Sequence, residues 1–141
     1  MCLGQIGVRV VNKANQWKWS ICNGIKDRIP ASKQTGMVYE MSCLDCPGKY
    51  VGETLRSLET RVKEHMRHAK PGGRFDQSAI AEHVHKDGHK IDRGNVKILS
   101  REDKWWDRKV KESLFIKILE PSLNQDSGLQ ISLLWKNALS I

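Results

Sequence analysis

The sequence predicts an α+β chain, and three observations carry that expectation. Two short alternating runs lie either side of a turn rich in Cys, Pro and Gly. Three later stretches place apolar residues at helical spacing. Between these elements, Gly, Pro, Asp and Asn supply the breaks that they need.

Residues 1 to about 34 are mixed in composition. Val8 to Val11 fits a short strand, but Asn12, Asn15, Asn23, Gly24 and Pro30 interrupt any sustained period, so 1–34 reads as a poorly ordered N-terminal extension. A compact domain is expected over 35–126 and a C-terminal tail over 127–141. Met37-Val38-Tyr39-Glu40-Met41 alternates after Gly36 and reads as a strand. Lys49-Tyr50-Val51-Gly52 reads as its antiparallel partner across the turn Cys43-Leu44-Asp45-Cys46-Pro47-Gly48. From about Leu55 to Ala69, the residues Leu58, Val62, Met66 and Ala69 share one helical face until Lys70-Pro71-Gly72-Gly73 ends it. A shorter helix is expected from about Gln77 to Lys86, N-capped by Asp76 and closed by Gly88. Asn95 to Leu99 is a third strand candidate. A last helix spans about Lys104 to Leu119, before Pro121. Trp105 and Trp106 have the chemistry to stack on bases, but they are assigned to its buried side, because Trp at helical spacing usually packs.

Lys and Arg number 24 against 16 Asp and Glu, a net charge of +8 and a pI near 9.5. That balance is the electrostatic footprint of a polyanion binder, the alternative being a solvated basic surface. No apolar run approaches the ~18 residues that span a bilayer, and the start Met1-Cys2-Leu3-Gly4-Gln5-Ile6 lacks the pattern of a secretion signal. An intracellular protein is the expectation.

Of the four cysteines, only Cys43 and Cys46 have the C-x2-C spacing that aims two thiolates at one ion. Cys2 and Cys22 receive no role. A zinc ion needs two further ligands, and His83, His85 and His89 cluster in the short helix and just past it. Ile80 and Val84 define the buried stripe, His83 lies on its margin and His85 points nearly the opposite way. A left-handed Gly88 folds His89 back towards the last turn. Cys43, Cys46, His83 and His89 are therefore expected to form a closed, structural zinc site. The alternatives are His85 in place of His83, or ordinary thiols beside solvated histidines.

Gly36-Met37-Val38-Tyr39, then Tyr50-Val51-Gly52, a helix bearing Arg61 and His65, then Glu112 and Pro121-Ser122-Leu123-Asn124, follow in an order that resembles the GIY-YIG nuclease domain over about 35–126. The cysteine pair between the tyrosine motifs, with later histidines, resembles the form found in Penelope-like retroelements. The chain departs from the family pattern in two places. Gly36 stands one residue further from Tyr39, and the Tyr50-to-Arg61 segment is one residue longer than in many members. The resemblance implies a small three-stranded antiparallel sheet flanked by helices. It implies a metal-dependent DNA endonuclease that nicks phosphodiesters, acting in the nucleus, with a reverse transcriptase in a longer parent protein. It places Mg²⁺ or Mn²⁺ on Glu112, Arg61 against the charge on phosphorus, and the attacking water beside a tyrosine helped by His65. Tyr50 is the expected activator, Tyr39 its support, and Asn124 a hydrogen-bonding residue that positions Tyr39 or the phosphate.

The residues bear independent readings. Tyr39 and Tyr50 fall opposite each other if the hairpin is symmetric, as a packing pair or as two phenols facing charge. Arg61 and His65, four apart, share a helix face. By themselves they read as a surface ion pair and a core histidine. Glu112 falls among Trp105, Ile116 and Leu119 on an apolar face, where a carboxylate needs a cation, either a metal or a nearby Lys or Arg. Lys49, Arg56, Lys63, Arg67, Lys70 and Arg74 form the expected phosphate-binding sector, or else a solvated helix face. Three functions compete: a nicking enzyme, a DNA-binding module on the same fold that no longer cuts, and a zinc-stabilised interaction domain. Retention of all six site residues favours the first.

Overall fold

Met37–Ser42 (β1) is hydrophobic at four of its six positions, and all but Ser42 are buried. A strand buried on both faces belongs in the middle of a sheet. The computed structural model, which describes residues 29–132, 134 and 135, places it there. Lys49–Thr54 (β2) and Lys97–Arg101 (β3) flank it, both antiparallel, in the order β2-β1-β3. The chain is α+β, a three-stranded antiparallel sheet flanked by three helices, as expected. The N-terminal extension, its Val8–Val11 strand, Cys2 and Cys22 lie outside the described residues.

Register separates the two faces of the sheet. Tyr39 pairs with Gly52, and Met41 with Tyr50. Met37, Tyr39 and Met41 thus share one face with Tyr50 and Gly52. That face packs on Leu58–His68 (α1) through Leu58, Val62 and Met66, and on Ala79–Asp87 (α2) through Ile80 and Val84. Each large side chain fully buried here contributes about 1.5–3 kcal/mol. A bulge between Val38 and Tyr39 in the β1–β3 pairing keeps Ile98 on this core face. The opposite face meets Trp105–Leu119 (α3), where Val38, Val51, Val110 and Leu114 are buried.

Arg108 of α3 is fully buried on that second face. Its Nε donates to Glu53 Oε2 at 2.5 Å, and its Nη1 to the carbonyls of Glu102 and Asp103 at 3.0 and 3.1 Å. Breaking such a buried pair from one side costs about 3–5 kcal/mol. Gly36 begins β1 at φ +69°, and a Cβ there would stand 2.9 Å from the Glu102 carbonyl oxygen. Only glycine suits that position.

Three local expectations need correction. Helix α1 starts at Leu58 rather than Leu55, because Ser57 caps it by accepting from Thr60 N–H at 3.3 Å. The cap of α2 is Ser78, not Asp76, which lies in a 3-10 turn at Phe75–Gln77. Trp105 and Trp106 are 60% and 56% exposed and so are not core. Gly88 closes α2 in the left-handed conformation at φ 68°, as expected. Ala31–Lys33 forms a further 3-10 turn against α1, and Gln34 O accepts from Leu58 N–H at 3.3 Å. Residues 128–131 lie along α3, with Leu129 N–H donating to Ser113 Oγ at 2.7 Å. Among the described residues no helix is long and apolar enough to cross a membrane.

Candidate active site and metal centre

A cleft of about 220 Å³ lies at the free edge of β2, lined by Tyr50, Arg61, His65, Lys109, Glu112 and Asn124 among others. Five of the six residues singled out by sequence thus meet in one place. The sixth, Tyr39, is fully buried behind them.

The phenols are two residues out of register rather than opposite, because the hairpin pairs Tyr39 with Gly52. The offset puts both rings over Gly52. A Cβ at Gly52 would stand 2.9 Å from Tyr50 Oη and 3.0 Å from Tyr39 Oη. The missing side chain is what lets two phenol oxygens converge, with ring centroids 6.3 Å apart.

His65 lies against both rings. Its Nε2 is 2.8 Å from Tyr39 Oη, and its Nδ1 is 2.7 Å from Ser78 Oγ. Burial, aided by the charge of Arg61, pulls its pKa down to about 3. It is therefore neutral near pH 7, donating from one nitrogen and accepting at the other. Ser78 has two tasks, since the same oxygen caps α2. Sequence reasoning missed it. The available signal was a serine two residues before the buried Ile80.

Burial raises both phenols above the ordinary tyrosine pKa, further for Tyr39 than for Tyr50. The adjacent Arg61 opposes the rise without reversing it. Both phenols are therefore protonated in the resting protein. Arg61 Nη1 donates to Glu64 Oε2 at 3.1 Å, while its Nε–H is buried without an acceptor. The rest of the guanidinium lines the cleft, one-third exposed, where its planar fork suits an incoming anion.

Glu112 enters from α3. Burial raises its pKa, and Lys109 pulls against that rise. Lys109 Nζ lies 3.1 Å from Glu112 Oε2 and 3.1 Å from Glu53 Oε1. The carboxylate thus has the cation its environment demands, here an ammonium. Two acids turned onto one positive centre are also the donor set a hard divalent ion takes.

Asn124 does something other than expected. Its Oδ1 accepts from Val51 N–H and its Nδ2 donates to Val51 O, both at 2.8 Å. These are the outward backbone groups of an edge strand, so Asn124 extends the sheet by one side chain. Leu123 N–H donates to Lys49 O at 3.0 Å in the same way. Asn124 fixes the strand that carries Tyr50, and its two bonds go to Val51 rather than to Tyr39.

The cationic sector divides. Lys49 pairs with Glu40, Arg56 with Glu64, and Lys63 with Glu59 at 2.5 Å. Arg67, Lys70 and Arg74 are exposed and form no ion pair among the described residues. Arg67 and Arg74 border a recess beyond the end of α1, and Gln77 lines both recess and cleft.

A second constellation sits on the turn between β1 and β2. Ligand atoms of Cys43, Cys46, His83 and His89 all lie within 4.8 Å of one another. His83 Nε2 is 3.4 Å from Cys43 Sγ, 3.5 Å from Cys46 Sγ and 3.2 Å from His89 Nδ1. Around a tetrahedral zinc, ligand atoms at their usual bond lengths stand about 3.3–3.8 Å apart. The four residues could therefore hold a metal ion such as zinc. Asp45 and Gly48 N–H donate to the two sulfurs at 3.4 and 3.3 Å. Asp87 Oδ2, 2.7 Å from His83 Nδ1, fixes that ring so that Nε2 faces the cluster. His85 stands apart, stacked on Phe75 at 4.2 Å.

No family model matches the chain, and no curated protein or solved structure matches it.

Proposed function

We propose that this chain is a metal-dependent endonuclease that nicks DNA, the activity implied by its resemblance to the GIY-YIG domain. The observation that carries the reading is a single cleft in which Tyr50, Arg61, His65 and Glu112 converge. That is the donor set of phosphodiester hydrolysis: a cation-holding carboxylate, a guanidinium for phosphate, and a phenol for water.

Glu112 would hold Mg²⁺ or Mn²⁺, with Glu53 facing the same point across Lys109. When bound, the ion supplies Lewis acidity to the phosphoryl group and the leaving oxygen. Arg61, whose guanidinium lines the cleft, meets the phosphate and offsets the charge that builds on its oxygens. Tyr50, the phenol that lines the cleft, orients the attacking water through its hydroxyl. Tyr39, bonded to His65, holds Tyr50 from behind. The water oxygen joins phosphorus, the bond to the leaving sugar oxygen breaks, and the water proton ends on that oxygen. Zinc on Cys43, Cys46, His83 and His89 clamps the β1–β2 turn to α2 and plays no chemical part. Arg67 and its neighbours contribute affinity for the phosphate backbone. A retroelement origin, a reverse transcriptase in a longer parent and a nuclear site of action accompany this reading on the resemblance alone.

The Lys109–Glu112 pair favours one second reading, a DNA-binding module whose metal carboxylate is permanently neutralised. Plasmid nicking in Mg²⁺ or Mn²⁺ separates the two. Nicking by the wild type and none by Glu112→Ala supports the enzyme. Salt-sensitive binding without nicking by either supports the module.

A further inference from the structure

Trp105 and Trp106 are the anomaly of α3. Both rings are more than half exposed, and they lie against each other with centroids 5.9 Å apart. An indole in water forgoes most of what its burial would contribute.

Helix geometry says where they point. At 100° per residue, Trp105, Lys109, Glu112 and Ile116 fall on one narrow stripe of α3. The last three line the cleft. Trp105 therefore continues the wall of the cleft towards the N-terminus of α3, at the end where the wall meets solvent. From Glu112 the helix rises about 10 Å to Trp105. That distance equals about three stacked nucleotides at ~3.4 Å each. Arg101 and Lys104 precede the two tryptophans in the chain, exposed and without an ion pair among the described residues, although Asp103 and Asp107 are close in sequence too.

We propose that Trp105, buttressed by Trp106, is a stacking platform for an unpaired nucleobase about three nucleotides from the scissile phosphate. This deepens the endonuclease reading and rests on it. The chemistry of an exposed indole selects the ligand. In an intact duplex each base face is already covered by its neighbours. An indole can stack only on a base at a gap, flap, nick or single-stranded end, or one flipped out. The site therefore prefers DNA that is locally open beside the cut, and it needs no contact with base edges to do so.

The test uses the full chain carrying Glu112→Gln, so that substrate survives. Fluorescence anisotropy compares a fully paired duplex with the same duplex gapped on one strand near its centre. Loss of one base stacked on an aromatic side chain weakens binding roughly 5–150-fold by alanine substitution. Added Trp105→Ala is therefore expected to weaken binding to the gapped DNA about tenfold and to leave the paired duplex nearly unchanged. Trp105→Phe is expected to recover most of the loss. Trp105 is exposed, so its removal leaves the core intact. Equal affinities of the parent chain for both DNAs, or an equal effect of Trp105→Ala on both, would overturn the platform while leaving DNA binding standing. Failure of the parent chain to bind either DNA would overturn the endonuclease reading and the platform with it.

Discussion

A methyl group at Gly52 would stand 2.7 Å from Tyr50 Cε1 and 3.0 Å from Tyr39 Oη, inside van der Waals contact with both rings. Gly52→Ala is therefore expected to push the phenols apart, cost about 1–3 kcal/mol of stability, and abolish nicking while the metal cluster on the turn stays loaded. Urea unfolding and the nicking assay measure the two effects separately. His65 gives a pH signature. Its pKa falls from 6.5 to about 3 on folding, so between those values the unfolded chain binds the extra proton. Stability therefore rises with pH across that window, by at most about 1.4 kcal/mol per unit, and is lost on acidification. Glu112, raised by burial, has the opposite slope above its ordinary carboxyl range. Urea midpoints between pH 7 and 4 should flatten in His65→Gln; an unchanged slope would mean that His65 titrates normally. Sequence alone could place Tyr39 and Tyr50 on a hairpin but not their register. The two-residue offset follows from where the turn closes, at Cys43 N–H donating to Gly48 O.

At the scale of elements, the turn, α2 and the segment 89–92 meet through the four ligands, the buried Ile80 and Ile91, and a few hydrogen bonds. Leu44 N–H donates to Lys90 O, Asp92 N–H to Ser42 O, and Lys90 N–H to Asp45 Oδ2. The ligand choice was readable beforehand, because helix period and a left-handed Gly88 bring His83 and His89 together and turn His85 away. Asp87 was not singled out, although it stands four residues after His83 on the same helix. Replacing it with Asn removes the charge on His83 Nδ1, and a loss of about 10–100-fold in zinc affinity is expected. A competition titration with a chromophoric chelator reads that change directly. Unaltered affinity would mean that Asp87 is an ordinary surface acid. Helix α3 is only partly legible in the sequence. Its apolar pattern is weak because Arg108 and Ser113 lie inside while Trp105 and Trp106 lie outside. Only the side-chain network of Arg108 explains how a cation comes to occupy the core.

The molecule as a whole brings its site together at one sheet edge. β2 is an edge strand whose outer groups are covered by Leu123 and Asn124. α1 delivers Arg61 and His65 on one face of the sheet. α3 reaches past the same edge with Lys109 and Glu112 from the other. The order of the motifs implied such a meeting. The roles within it were less legible, since Asn124 turned to the backbone and Lys109 took the place beside Glu112 only in three dimensions. The central claim is that Glu112 holds the divalent ion and Arg61 acts on the phosphate. Electron paramagnetic resonance of Mn²⁺ with the zinc-loaded protein, alongside plasmid nicking, tests it. One Mn²⁺ bound in the wild type and in Arg61→Ala, lost in Glu112→Ala, with nicking only by the wild type, is the predicted result. Mn²⁺ bound equally by Glu112→Ala would contradict it.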